Sequence, residues 1–143
     1  TAPEVDRAVL NVPGSNLVDL FQDSTYFGPQ INAFLEDMEA PPGTRDETRL
    51  LNIARWLVDS VDPHSIAHVY PRDGRTAFIQ MDKVSAGIGD MVIPNHTTER
   101  LQRASQLPME EYPSILHGDL VIPLIGDEVL ADAIQFLETG VAP

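Results

Sequence analysis

Gly89-Asp90-Met91-Val92-Ile93-Pro94-Asn95 is the stretch on which the reading of this chain turns. Before it, the apolar segment Thr76-Ala77-Phe78-Ile79-Gln80-Met81 reads as a strand, and a Gly-containing loop then delivers an acid, Asp90. After it comes a helical pattern over 97–106, capped from Asn95 or Thr97. A short apolar run, Ser114-Ile115-Leu116, then ends on His117. Strand, acid, helix, short strand, histidine, helix is the order in which an α/β enzyme with a Ser…Asp…His triad receives its last two members. No Gly-x-Ser-x-Gly occurs anywhere in the chain, so the sequence offers half of an active site.

A carboxylate placed as Asp90 is can accept a hydrogen bond from an imidazole and fix its tautomer. The plainer reading is a turn-forming aspartate, which Gly-Asp sequences often supply. Asp82 is the rival acid, closer to the end of the strand. His117 follows Asp90 by twenty-seven positions, in Leu116-His117-Gly118-Asp119, and has the loop context that proton transfer requires. Its plainer reading is a surface-loop histidine without a role.

His96 falls at the start of the 97–106 helix and reads as an occupant of its first turn. His64 and His68 have the His-x3-His spacing that binds a metal when it falls on one helix face, but the segment shows no helical stripe and no third ligand. Ser15, in Pro13-Gly14-Ser15-Asn16, follows a strand and precedes a helix as a nucleophile would. It lacks the flanking glycine pair, and reads instead as a cap or turn residue.

Further out, Glu4–Val12 reads as a buried strand stopped by Pro13-Gly14, and Asn16 as the cap of a short helix carrying Leu17, Leu20 and Phe21. Ile31, Phe34, Leu35 and Met38 share one helix face after Gly28-Pro29. Residues 39–43 form a Pro-rich linker. Thr44 and Glu47 have capping-box spacing and open a helix with Leu50, Ile53, Ala54, Leu57 and Val61 on one apolar stripe, flanked by Trp56. Asp62-Pro63 ends that helix, Ser65–Arg75 reads as a loop, and Pro108 and Pro113 bracket a turn. Asp127 caps a last helix that Gly140 stops; Leu130, Ile134 and Leu137 form one row on it, with Val129, Ala133 and Phe136 beside them.

The pattern is α/β, with two or three strands, too few for a doubly wound sheet. Strand edges would remain open, so a second chain completes the sheet or the domain dimerises through it.

The 143 residues suit one domain or a part of a larger one, and 43% hydrophobic content is enough for a core. A net charge of −13 and the absence of a basic stripe exclude nucleic acid as a partner and docking on anionic lipid by charge. Zero cysteines exclude disulfides, thiol catalysis and cysteine-based zinc sites. No apolar run approaches the length of a membrane span. The chain opens on Thr1, which reads as a processed product or a piece of something longer.

Three stretches carry a family likeness: Val9-Leu10-Asn11-Val12-Pro13-Gly14-Ser15-Asn16-Leu17-Val18-Asp19-Leu20, Trp56-Leu57-Val58-Asp59-Ser60-Val61-Asp62-Pro63, and Gly89–Asn95. Together they resemble the C-terminal part of bacterial extracellular lipases and esterases of the α/β-hydrolase superfamily, over nearly the whole chain. The Asp-x-Val-Ile-Pro-Asn segment is the most specific of the three.

The resemblance implies that residues 1–143 form the C-terminal portion of an α/β-hydrolase sheet. Residues 16–70 would be a helical lid or cap insertion, and residues 71–143 would carry the late strands and the final helix. It also implies Asp90 as triad acid, His117 as general base, an ester or lipid substrate, no cofactor or metal, and an extracellular or cell-envelope location. The nucleophilic serine would lie on an N-terminal segment outside this chain. The competing expectation is a non-catalytic acidic α/β module that binds a partner through its strand edges.

Overall fold

The computed structural model describes residues 5–69, 74–83, 90–114, 117, 118, 120 and 126–143. Its centre, among the described residues, is a parallel sheet of three strands, β1 (Arg7–Asn11), β2 (Thr76–Asp82) and β3 (Met109–Tyr112), in the spatial order β1-β2-β3. The register pairs Arg7 with Thr76 through Asn11 with Gln80, and Ile79 with Met109 through Asp82 with Tyr112. Among the described residues six helices join or flank the strands: α1 (Leu17–Asp23), α2 (Gly28–Asp37), α3 (Arg45–Val58), α4 (Pro63–Ile66), α5 (Asn95–Ser105) and α6 (Asp127–Thr139). A 3-10 turn, Ala67–Val69, follows α4. Among the described residues, no helix is long and apolar enough to cross a membrane.

β2 is the central strand and is buried from Ala77 to Asp82, with helices on both faces, as expected of a parallel strand. Its side chains alternate between two cores. Ala77 and Ile79 join Ala67, Leu101 and Leu107, which builds a core from the 3-10 turn and α5. Phe78 points the other way and meets Phe136 of α6, ring centroids 5.5 Å apart, beside buried Val129 and Ala133. Burying a side chain of the size of Phe136 contributes about 2 kcal/mol. Gln80 shares that face. Its amide donates to the Val129 carbonyl at 2.7 Å, and Tyr112 continues the polar line by donating to Asp132 at 2.7 Å.

Several helix expectations are corrected. On α3 the residues turned inward are Glu47 and Leu51, whereas Ile53, Trp56 and Leu57 are exposed, as is Val61, which lies beyond the helix end at Val58. Polar anchors set this rotation. The Glu47 carboxylate accepts from Gly43 N at 2.6 Å and Gln22 Nε2 at 3.0 Å, and Arg55 reaches Asp19 on α1 at 2.7 Å. Of the apolar face expected on α2, only Leu35 is buried; Phe34 and Met38 face solvent.

Neither Asn16 nor Asp127 caps its helix through its side chain; Asn16 sits in the left-handed region, and Gly126 is the residue ahead of α6. α5 begins at Asn95 behind Pro94, with no side-chain cap. The Ser65–Arg75 stretch is in part helical.

The segment between Pro108 and Pro113 is strand β3, not a turn. Its sequence, Met-Glu-Glu-Tyr, lacks an apolar run because Glu110 and Glu111 are exposed and only Tyr112 is buried. Ile115 and Leu116, expected as that strand, and residues 84–89 of the acid-bearing loop lie outside the described residues. The Thr44 cap is present, its hydroxyl accepting from Glu47 N at 3.2 Å. Gly140 ends α6 as expected, with φ 76°.

Candidate functional site

All three strands deliver their following loops to the carboxyl end of the sheet, the end at which open α/β sheets place ligands. Asn11 leads into Val12–Asn16, Asp82 toward Asp90, and Tyr112 toward His117. There Asp90 and His117 meet: His117 Nδ1 lies 2.5 Å from Asp90 Oδ2. The Asp90 carboxylate is wholly buried, while the His117 side chain is 44% exposed. The other carboxylate oxygen, Oδ1, accepts from Val92 N at 2.6 Å and Ile93 N at 3.0 Å, an Asx turn that aims the side chain.

Chemically, a buried carboxylate on Nδ1 holds the ring in one orientation and leaves Nε2 as the nitrogen that can exchange a proton with a reactant.

The Asp90 loop is held against the body of the protein at several points. Met91 O accepts from Tyr26 N at 3.1 Å and from the Ser24 hydroxyl at 3.3 Å. A Cβ on Gly14 would run into Leu20 Cδ1 and come within 3.1 Å of Ile93 Cγ2 and Thr97 Oγ1, so the Pro13–Ser15 backbone lies directly against the acid loop. The Ser15 hydroxyl donates to Thr97 O at 2.9 Å, and Thr98 Oγ1 donates to Pro13 O at 2.5 Å. Val12 takes φ 45°, unusual for a β-branched residue and of the kind that costs about 1–3 kcal/mol and survives only where neighbours over-determine it.

The remaining expected residues are placed elsewhere. Ser15 is fully buried and spends its hydroxyl on Thr97, in neither the exposed elbow of a nucleophile nor a helix cap. Asp82 closes β2 with its side chain buried; it is Asp90 that stands against the imidazole. His96 lies at the start of α5, with Nε2 3.1 Å from Asp23 Oδ2. His64 lies on α4 and His68 on the 3-10 turn, and the described residues contain no group of three or more His, Cys, Asp or Glu able to hold a metal.

A cavity of about 180 Å3 opens between α1, α3 and α4, away from the pair. The carboxylates on its wall are engaged. Asp62 accepts from Asn16 N, Leu17 N and His64 N at 2.9, 2.6 and 2.9 Å. Asp59 accepts from Ser65 at 2.7 Å. Asp19 is gripped by Arg55 and Arg100, at 2.7 and 2.6 Å; burial raises its carboxyl, but the two guanidinium groups outweigh that and hold it below the ordinary 3.8.

Sequence reading missed Ser24 and the double role of Asp62. Asp62-Pro63 does carry an N-cap signature, an acid before a proline at the first helical position, and it could have been read so. Ser24 carries no signal, because its partner Met91 is distant in sequence. Compared with known proteins, the chain matches no family model, no curated protein and no solved structure.

Proposed function

We propose that this chain is the C-terminal part of a serine carboxylic-ester hydrolase of the α/β-hydrolase type, supplying Asp90 as triad acid and His117 as general base. The observation that carries the reading is the 2.5 Å contact between a fully buried carboxylate and a half-exposed imidazole, on successive loops at the carboxyl end of a parallel sheet. The nucleophilic serine and the oxyanion-binding amides come from an N-terminal segment of the same hydrolase. The serine Oγ attacks the ester carbonyl while His117 Nε2 takes its proton. The imidazolium, stabilised by Asp90, returns that proton to the departing alcohol, and water repeats the sequence on the acyl-enzyme. Helices α1–α3 act as the cap.

The exposed margins of the fold suit this division of labour. Among the described residues β1 pairs only with β2, and no described strand lies on its outer edge. α6 packs on β1 and presents Leu130, Ile134 and Leu137 to solvent as one helical row. The same row favours a second reading, a non-catalytic acidic module whose sheet edge and last helix bind a partner.

The experiment is isolation of the protein from its source under native conditions, followed by denaturing intact-mass measurement and labelling with a fluorophosphonate. A second segment containing Gly-x-Ser-x-Gly, labelled by the probe and co-purifying in equal amount, is expected. Ester turnover should then be lost in Asp90→Asn and His117→Ala. A single 15.7 kDa species that self-associates and turns over no ester would leave the binding module as the function.

A further inference from the structure

We infer that Ser24, in the turn between α1 and α2, is a positioning residue for the Asp90–His117 pair, so that the cap helices and the acid loop move as one unit. The inference rests on the reading of that pair as a proton-handling couple.

The Asx turn fixes the Asp90 carboxylate only relative to its own loop, through Val92 N and Ile93 N. What fixes the loop relative to the sheet must come from outside it. On one side this is Gly14, packed on Ile93. On the other it is the 23–27 turn, whose grip falls on Met91 O, one residue from the acid.

Ser24 is 3% exposed and connects three elements. Its N–H closes α1 on Leu20 O at 3.1 Å, its carbonyl accepts from Gly28 N of α2 at 2.8 Å, and its hydroxyl donates to Met91 O. The same hydroxyl oxygen accepts from Tyr26 N and Phe27 N, both at 3.2 Å, which holds the turn in the shape that brings Tyr26 N onto Met91 O. Asp23, its neighbour, adds a second tie to the same region through His96. A displacement of α1 and α2 therefore releases the Met91 carbonyl and, with it, the carboxylate that orients His117.

The test is proton NMR of the imidazole Nδ1–H, which a short bond to a buried carboxylate shifts to low field and protects, and which Asp90→Asn should abolish. In Ser24→Ala, with circular dichroism unchanged, exchange of this proton with water is expected to be about tenfold faster, the factor for losing one ordinary hydrogen bond. Ser24→Thr, which keeps the hydroxyl, should restore it. Exchange at the wild-type rate in Ser24→Ala, while the Tyr26 amide has lost protection, would overturn the positioning role and leave the pair standing. Absence in the wild type of any low-field signal that depends on Asp90 would overturn the pair and the positioning role together.

Should Ser24→Ala not fold, the unaltered protein decides. At low urea the Tyr26 amide and the His117 Nδ1–H should open with one free energy and one urea slope. Different slopes would refute the single unit.

Discussion

Replacing Asp62 by alanine should destabilise the protein far more than an ordinary loop substitution. Its carboxylate is 6% exposed as a residue and receives three backbone N–H groups from two helix starts: Asn16 and Leu17 at the entry to α1, and His64 in the first turn of α4. An N-cap contributes about 1–2 kcal/mol, and two helix starts are uncapped at once, so the loss should be about 3 kcal/mol. That is a large share of the 5–15 kcal/mol by which a domain is typically stable.

Asp62→Asn should fall between wild type and alanine. Oδ1 accepts from Asn16 and His64, and an amide oxygen can keep both, whereas Leu17 N would face the amide NH2. One bond is lost, for about 1 kcal/mol. Urea unfolding at pH 7, with the slope unchanged between variants, measures both. A loss below about 1 kcal/mol in Asp62→Ala, or equal losses in the two variants, would refute the assignment of this carboxylate as a double cap.

Asp19→Asn should weaken the protein at neutral pH and cease to matter in acid. The folded carboxyl is held below 3.8, so its contribution is present above that pH and disappears as pH falls through the lower folded value; denaturation curves taken from pH 7 to pH 2 would show the two proteins converging. Tyr112 behaves in the opposite sense, since burial and then the neighbouring Asp132 push its hydroxyl above the ordinary 10.0. Stability should therefore fall as pH rises past 10, and Tyr112→Phe should flatten that alkaline limb while costing about 1 kcal/mol at pH 7 for the bond to Asp132. Gly14→Ala forces a methyl between Leu20, Ile93 and Thr97 and should cost about 1–3 kcal/mol in urea unfolding.

The sheet and the pair were legible in the sequence to different degrees. β2 announces itself because a parallel strand buried on both faces reads as an apolar run; β1 reads as one too, although the strand expected to be buried is only half-buried along its whole length. Asp90 and His117 could be picked out because loop context, order and strand ends all converged on them. The rotation of α3 could not. Its sequence supports two apolar rows, and the one chosen by periodicity, through Ile53 and Leu57, lost to anchors that are polar: Glu47 on Gly43 and Gln22, and Arg55 on Asp19. β3 hid for the reverse reason, since a short strand of Met109, Glu110, Glu111 and Tyr112 buries only its last residue. Long-range hydrogen bonds such as Ser24 to Met91 have no local period, so no pattern in the chain points to them.

β1 and β2 are direct neighbours in the sheet, yet residues 12–75, about sixty residues, run between them. A parallel crossover needs only about a dozen. Closing the longer loop costs about 0.6 kcal/mol per doubling of length, hence about 1.5 kcal/mol more than the shortest crossover would. The surplus chain holding α1–α3 is thus a light entropic burden on the sheet. Helices there can lengthen, shorten or be exchanged over evolutionary time with little change in the work of bringing the two strands together, provided that the contacts at Gly14, Ser24 and Asp62 are kept.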